Sequence, residues 1–279
     1  METLISTSPA GRWLGRVEAV PPLAWLGLQA AALWTHWRWA AARVADGSDD
    51  PLGIAALAAL AWAIVRIAPE LHAQPRPGWL AAALGTSVAA TAAVFAAPPL
   101  AGALLAALAL DCGLRAFMPA IRAHLPLAGL FVLSLPVVSS LQFYAGYPLR
   151  VVTAQLSTWL LQFAGMDALR SGSAMQVAGR LVIVDAPCSG VQMAWMAYFA
   201  ACTVAAFADL SDRRFLARLP WVGLIVLAGN ALRNTLLVAL EARPAAVPEA
   251  VHQGIGLAAL ALVCTAVIAV MQGGRHAAR

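Results

Sequence analysis

The 279-residue chain is 62% hydrophobic and 11% charged, with a mean hydropathy of +0.78 and a formal net charge of +5. These values exclude a soluble globular domain and place the chain among integral membrane proteins. All eighteen basic residues are arginine, and their distribution over the loops accounts for the positive charge as membrane topology, so no nucleic-acid partner is implied.

The opening segment, METLISTSPAGRWLGRVEAV, has no continuous apolar region and no small-residue cleavage site, so it does not read as a removable signal peptide. Apolar stretches of about 20 residues, the length that crosses about 30 Å of hydrocarbon, follow at 21–41, 51–69, 79–97, 98–116, 125–143, 188–208, 219–240 and 252–271. Pro98 and Pro99 separate the third from the fourth. Backbone groups have no water to bond in the bilayer core, so the spans must be helices, and the many Ala and Gly residues let them pack closely. The expected fold is an all-α polytopic protein of about eight transmembrane helices, a single integral membrane domain over 1–279 embedded in the lipid bilayer. An orientation with both termini in the cytoplasm puts eleven arginines inside (12, 16, 66, 76, 115, 122, 213, 214, 218, 275 and 279) and six outside (38, 43, 150, 170, 180 and 243), with Arg233 left in a span. That bias satisfies the positive-inside rule. Trp34, Trp37, Trp39, Trp79 and Trp221 fall at span ends as interfacial anchors, and His36, His72, His124 and His276 read as interfacial or loop residues.

The longest segment between spans, 144–187, lies outside in this orientation. From Val151, VVTAQLSTWLLQFAG sets apolar residues at helical intervals among Gln155, Ser157, Thr158 and Gln162, which predicts a short amphipathic helix along the membrane surface. Further on, SAMQV and the β-branched run from Leu181 to Val184 flank Ala178-Gly179 and make a candidate β-hairpin before the sixth span.

The sixth span opens with DAPCSG. Asp185 can cap a helix there, and Pro187 suits its first turn. Cys188 then sits where unpaired N–H groups stabilise a thiolate and depress its pKa from about 8.5, while Gly190 leaves the surface beside the sulfur open. Cys202, fourteen residues along the same helix, is about 21 Å away at 1.5 Å per residue. Cys112 belongs to the inner side, so neither can form a disulfide with Cys188. In the seventh span, GNALRNTLLVAL places Asn230, Arg233 and Asn234 on one helix face. An arginine at that depth costs about 2.5 to 3.5 kcal/mol on insertion scales and ordinarily faces a polar interior. Asn230 and Asn234 can orient Arg233 or tie helices together. The eighth span opens with His252, again at the outer surface.

A thiol, a guanidinium and an imidazole at similar depth on one face have the parts for acyl transfer through a thioester. The thiolate attacks a carbonyl, the imidazole manages the proton of the leaving amine, and the guanidinium steadies the oxyanion or the thiolate. In order and spacing these segments resemble the exosortase/archaeosortase membrane transpeptidases, which carry a CSG cysteine, an NxxR helix and a downstream histidine near a glycine. The resemblance covers about 50–272, with DAPCSGVQM at 185–193, NALRN at 230–234 and HQGIG at 252–256, and the first two spans match no recognisable pattern. It implies Cys188 as nucleophile, Arg233 as electrostatic stabiliser and His252 as general acid/base, supported by Asp185, Ser189, Gly190, Asn230 and Asn234, with no cofactor and no metal. It further implies a cysteine protease or transpeptidase of the bacterial inner membrane with its site facing the periplasm. Its partners would be exported proteins whose C-terminal sorting tail joins a short Pro-Glu-Pro-type motif, a transmembrane helix and a basic cluster, as in surface-protein and exopolysaccharide export.

Two other classes stay open at the sequence level. A non-enzymatic export component or transporter would keep its function without Cys188, Arg233 and His252. A thiol-dependent lipid acyltransferase would carry a fatty-acyl adduct on Cys188, where the transpeptidase would carry a peptide.

Overall fold

The computed structural model describes residues 20–183, 189–242 and 248–273. Contacts divide the chain into two compact units, Met1–Pro136 and Val137–Arg279.

The first unit contains helices α1 (Pro22–Ala32), α2 (Trp34–Ala45), α3 (Gly53–Ile67, continued by a 3-10 turn, Ala68–Glu70), α4 (Pro77–Ala96), α5 (Pro99–Phe117) and α6 (Leu125–Leu133). α4 and α5 form a tight hairpin because Ala97 is extended (φ −130°, ψ 159°) ahead of Pro98, and Pro99 starts the next helix where its missing N–H is harmless. The split between the third and fourth spans therefore falls where the two prolines put it. α5 buries a face of small residues, Gly102, Ala103, Ala106, Ala107 and Ala109, which lets its neighbours approach closely. At Gly102 an added Cβ would lie 2.8 Å from Cε1 of His36. His36 is only 4% exposed, and its Nε2 donates to the Ala90 carbonyl at 3.1 Å. The interfacial position expected for His36 is thus replaced by a buried tie between helices, since a buried ring nitrogen must find a partner. Gln29 makes a second tie, its Nε2 reaching Ser87 Oγ at 3.1 Å and the Ala109 carbonyl at 2.8 Å. At the end of α5, Asp111 and Arg115 pair at 2.6 Å, and the Arg115 guanidinium lies 4.8 Å from the centroid of the Trp79 ring, a cation–π contact.

The second unit contains α7 (Val138–Phe163), strands β1 (Ala168–Ser171), β2 (Ala174–Val177) and β3 (Arg180–Ile183), then α8 (Val191–Phe207), α9 (Asp212–Glu241) and α10 (Glu249–Gln272). The expected hairpin is present and larger than anticipated: three antiparallel strands in the order β1-β2-β3. Val177 pairs with Arg180 across the two-residue turn Ala178-Gly179, whose φ values of 49° and 77° are those of a type I′ turn. β1 joins through a second two-residue turn, with Ser171 opposite Ala174. Met175 and Val177 are fully buried while Gln176 between them is exposed, the period-2 pattern of a strand with one covered face. That face packs with Ala168 on Ala154, Leu161 and Val238.

Five helices among the described residues are long and apolar enough to cross a membrane: α3 with its 3-10 turn, α4, α5, α9 and α10, or up to six if the bent pair α6 and α7 is one broken span. The protein is a mostly helical polytopic membrane protein, but the eight continuous spans expected from hydropathy are not found among the described residues. Their boundaries explain the difference. The stretch 21–41 is interrupted at Leu33 (φ −94°, ψ 20°). The stretch 125–143 stops at Leu133, and Pro136 follows without an N–H to continue the helix. The sixth stretch becomes a 17-residue helix starting at Val191, because Gly190 has φ +85° and cannot be helical. The helix start expected around Pro187 therefore falls later in the chain.

The outer segment also changes. α7 runs unbroken for 26 residues from Val138, about 39 Å at 1.5 Å per residue, through Pro148 to Phe163. What reads as a loop from Tyr144 followed by a surface helix from Val151 is one helix. Ser157 and Thr158, expected on the polar side of that surface helix, are buried. Their hydroxyls bond carbonyls and side chains within the helix packing, which removes the cost of placing them there.

Candidate active site

Asp185 and Cys188 lie outside the described residues. The two residues that follow them, Ser189 and Gly190, form the turn that ends at the start of α8. Ser189 is 2% exposed. Its hydroxyl donates to Oε1 of Gln142 on α7 at 2.8 Å and accepts from the Val191 N–H at 3.3 Å. Gly190 is required twice over. Its φ of +85° is left-handed, and a Cβ there would lie 2.9 Å from both Cγ and Nδ2 of Asn230. The sequence reason given for this glycine, open space beside a sulfur, is replaced by close packing on α9.

Asn230 and Asn234 are 2% and 4% exposed. Nδ2 of Asn230 donates to Thr153 Oγ1 at 3.0 Å, and Nδ2 of Asn234 donates to Ser157 Oγ at 3.0 Å. The Ser157 hydroxyl in turn donates a hydrogen bond to the Ala231 carbonyl at 3.1 Å. Both pairs repeat at four residues on both helices, so α7 and α9 are joined by a two-rung polar ladder. Of the two roles the sequence allows these asparagines, the hydrogen bonds show them tying helices.

Arg233 lies one turn beyond Asn230 and is half-buried. Its guanidinium rests against Gly256 of α10, where an added Cβ would be 3.4 Å from Nε and 3.6 Å from Nη2. His252 is four residues before Gly256, about 6 Å along α10. Its Nδ1 is 3.9 Å from Oε1 of Glu241, the last residue of α9. Glu241 is eight residues beyond Arg233, about 12 Å along α9. The α9–α10 seam thus carries both Arg233 and His252, with His252 about one turn along it, between the levels of Arg233 and Glu241. Asn230, one turn before Arg233, carries the Ser189–Gly190 turn. Arg180 at the start of β3 donates to the Glu241 carbonyl at 3.3 Å, which ties the sheet to the same end of α9.

Sequence reasoning misses four residues of this arrangement: Gln142, Thr153, Ser157 and Glu241. For the first three a signal exists. Gln142, Gly146, Thr153 and Ser157 recur at intervals of 4, 7 and 4, within about 60° of arc on a helix of 3.6 residues per turn. Treating 125–143 and 151–165 as separate elements hides that stripe. Glu241 carries no signal, because its meaning depends on the loop that returns the chain to His252.

No curated protein and no solved structure matches the chain. The family model described as transmembrane exosortase (Exosortase_EpsH) matches residues 23–269, taking in the CSG motif, the Asn-Arg face of α9 and the start of α10, and also the first two helical segments that the motif resemblance does not reach. With its helical membrane architecture and with Arg233 and His252 on one seam, the chain belongs to the transmembrane exosortase family.

Proposed function

We propose that the protein is a membrane cysteine transpeptidase or protease that cuts the C-terminal sorting tail from exported proteins. The observation that carries this reading is the α9–α10 seam: Arg233 packs on Gly256, His252 sits one turn away, and Asn230 on the same face of α9 carries the turn that follows Cys188 in sequence. Family membership supports the reaction class.

In the proposed reaction the Cys188 thiolate attacks the scissile carbonyl, forming a C–S bond as the carbonyl electrons move to oxygen. Arg233 stabilises that oxyanion. Collapse breaks the C–N bond, and the leaving amine takes a proton from the His252 imidazolium. The thioester is then attacked by an amine, a hydroxyl or water, whose proton goes to His252 as the thiolate leaves. A substrate tail that is itself a membrane helix reaches the site by lateral diffusion, which presents the residues before it at the outer rim. In this reading both termini are cytoplasmic and the site faces the extracytoplasmic side of the bacterial inner membrane.

Cys188→Ala tests the reading directly. The variant is expected in the membrane at wild-type abundance while substrate bearing an intact tail accumulates on an immunoblot. Normal processing by this variant overturns the proposal.

A further inference from the structure

The turn after Cys188 is gripped from two sides. On one, the Ser189 hydroxyl donates to Gln142 Oε1 at 2.8 Å, and the Gln142 amide is itself seated over Gly146, where an added Cβ would lie 2.9 Å from its Nε2. On the other, Gly190 packs on the Asn230 amide, which is fixed by Thr153 at 3.0 Å. Consecutive residues are therefore referenced to α7 and to α9, and the α9 reference is one helical turn from Arg233.

The Ser189–Gln142 bond adds little that packing requires. A buried hydrogen bond whose two members are both replaced by apolar groups of similar shape is close to neutral for stability, whereas removing one member leaves the other unpaired at a modest cost. What an apolar pair cannot supply is direction. A hydrogen bond sets the orientation of Ser189, and Ser189 is one peptide bond from Cys188.

We infer that Gln142 is a positioning residue for catalysis, which through Ser189 sets the register between the thiol-bearing segment and Arg233 and His252. The inference rests on the reading of Cys188 as nucleophile. Displacement of a reacting group by about 1 Å can cost on the order of 10²-fold in rate, so the loss should fall on kcat and leave KM, set by tail binding, unchanged.

The test uses full-length protein in proteoliposomes with a tail-bearing substrate. Gln142→Leu keeps the volume and removes the acceptor; kcat is expected to fall about 10- to 100-fold at constant KM, beyond the modest loss of thermal stability that an unpaired buried hydroxyl brings. Ser189→Ala is expected to lose a similar factor, and the double variant no more than either alone, as for two partners of one interaction. Gln142→Glu retains an acceptor oxygen for the Ser189 hydroxyl and should recover most of the lost rate. If Gln142→Leu fails to accumulate, Ser189→Ala carries the same test, since it removes only an oxygen. A kcat within about twofold of wild type for both single variants, or equal losses for Gln142→Leu and Gln142→Glu, overturns the inference while Cys188→Ala remains inactive. An active Cys188→Ala overturns the nucleophile reading, and the inference with it.

Discussion

Gly190 and Gly256 carry much of the site through what they lack. A side chain at Gly190 would meet two obstacles: a left-handed backbone, which costs an L-residue about 1–2 kcal/mol, and the Asn230 amide 2.9 Å from its Cβ. Gly190→Ala should therefore lower stability by about 2 kcal/mol and weaken the α7–α9 ladder as Asn230 moves aside; denaturant titration in mixed micelles checks the loss, and an unchanged midpoint would show that the turn relaxes freely. Gly190 reads from the sequence as a residue that leaves room for a sulfur. The requirement for glycine was legible, but its cause was not, because φ is set by how the chain enters α8. Glu241 is the opposite case: its position 3.9 Å from His252 comes from the fold alone.

At the scale of elements, α7 changes most between sequence and structure. Hydropathy breaks it because polar residues interrupt the apolar run, and two of the helix's polar residues, Thr153 and Ser157, pair with α9. Hydrogen bonds between membrane helices average about 0.6 kcal/mol in double-mutant cycles and reach about 1.7. The cycle of Asn234→Leu with Ser157→Ala is expected to show coupling within that range, read from unfolding in micelles; additive effects would mean that the rung contributes nothing beyond burial. The hairpin, in contrast, was legible, since alternation in AMQV and the Ala-Gly pair at its turn are local signals. Its third strand was not, because ALRS is too short and too mixed to stand out without β2 beside it. α8 shortened for a local reason, the positive φ of Gly190, that no hydropathy window registers.

For the molecule as a whole, the proposed orientation rests on the arginine bias of the loops, eleven against six when counted over the eight stretches expected from hydropathy. Single cysteines introduced as Ser48→Cys and Ser211→Cys, in a background lacking the native thiols, should label on opposite sides: Ser48→Cys with an impermeant maleimide in intact cells, Ser211→Cys only after permeabilisation. Labelling in the reverse pattern would place the candidate site in the cytoplasm and leave it without exported substrates. By itself the sequence determined the membrane class, the helical architecture and the hairpin, and it nominated Cys188, Arg233 and His252 as the candidate site, because composition, periodicity and spaced motifs are properties of the chain read locally. Tertiary structure alone decided that Arg233 and His252 share a seam through Gly256, that the two asparagines join α9 to α7, and that Gln142 holds Ser189. Each of these depends on side chains distant in sequence meeting across packed helices, and where backbones approach closely enough for that is settled by glycines and polar rungs acting together.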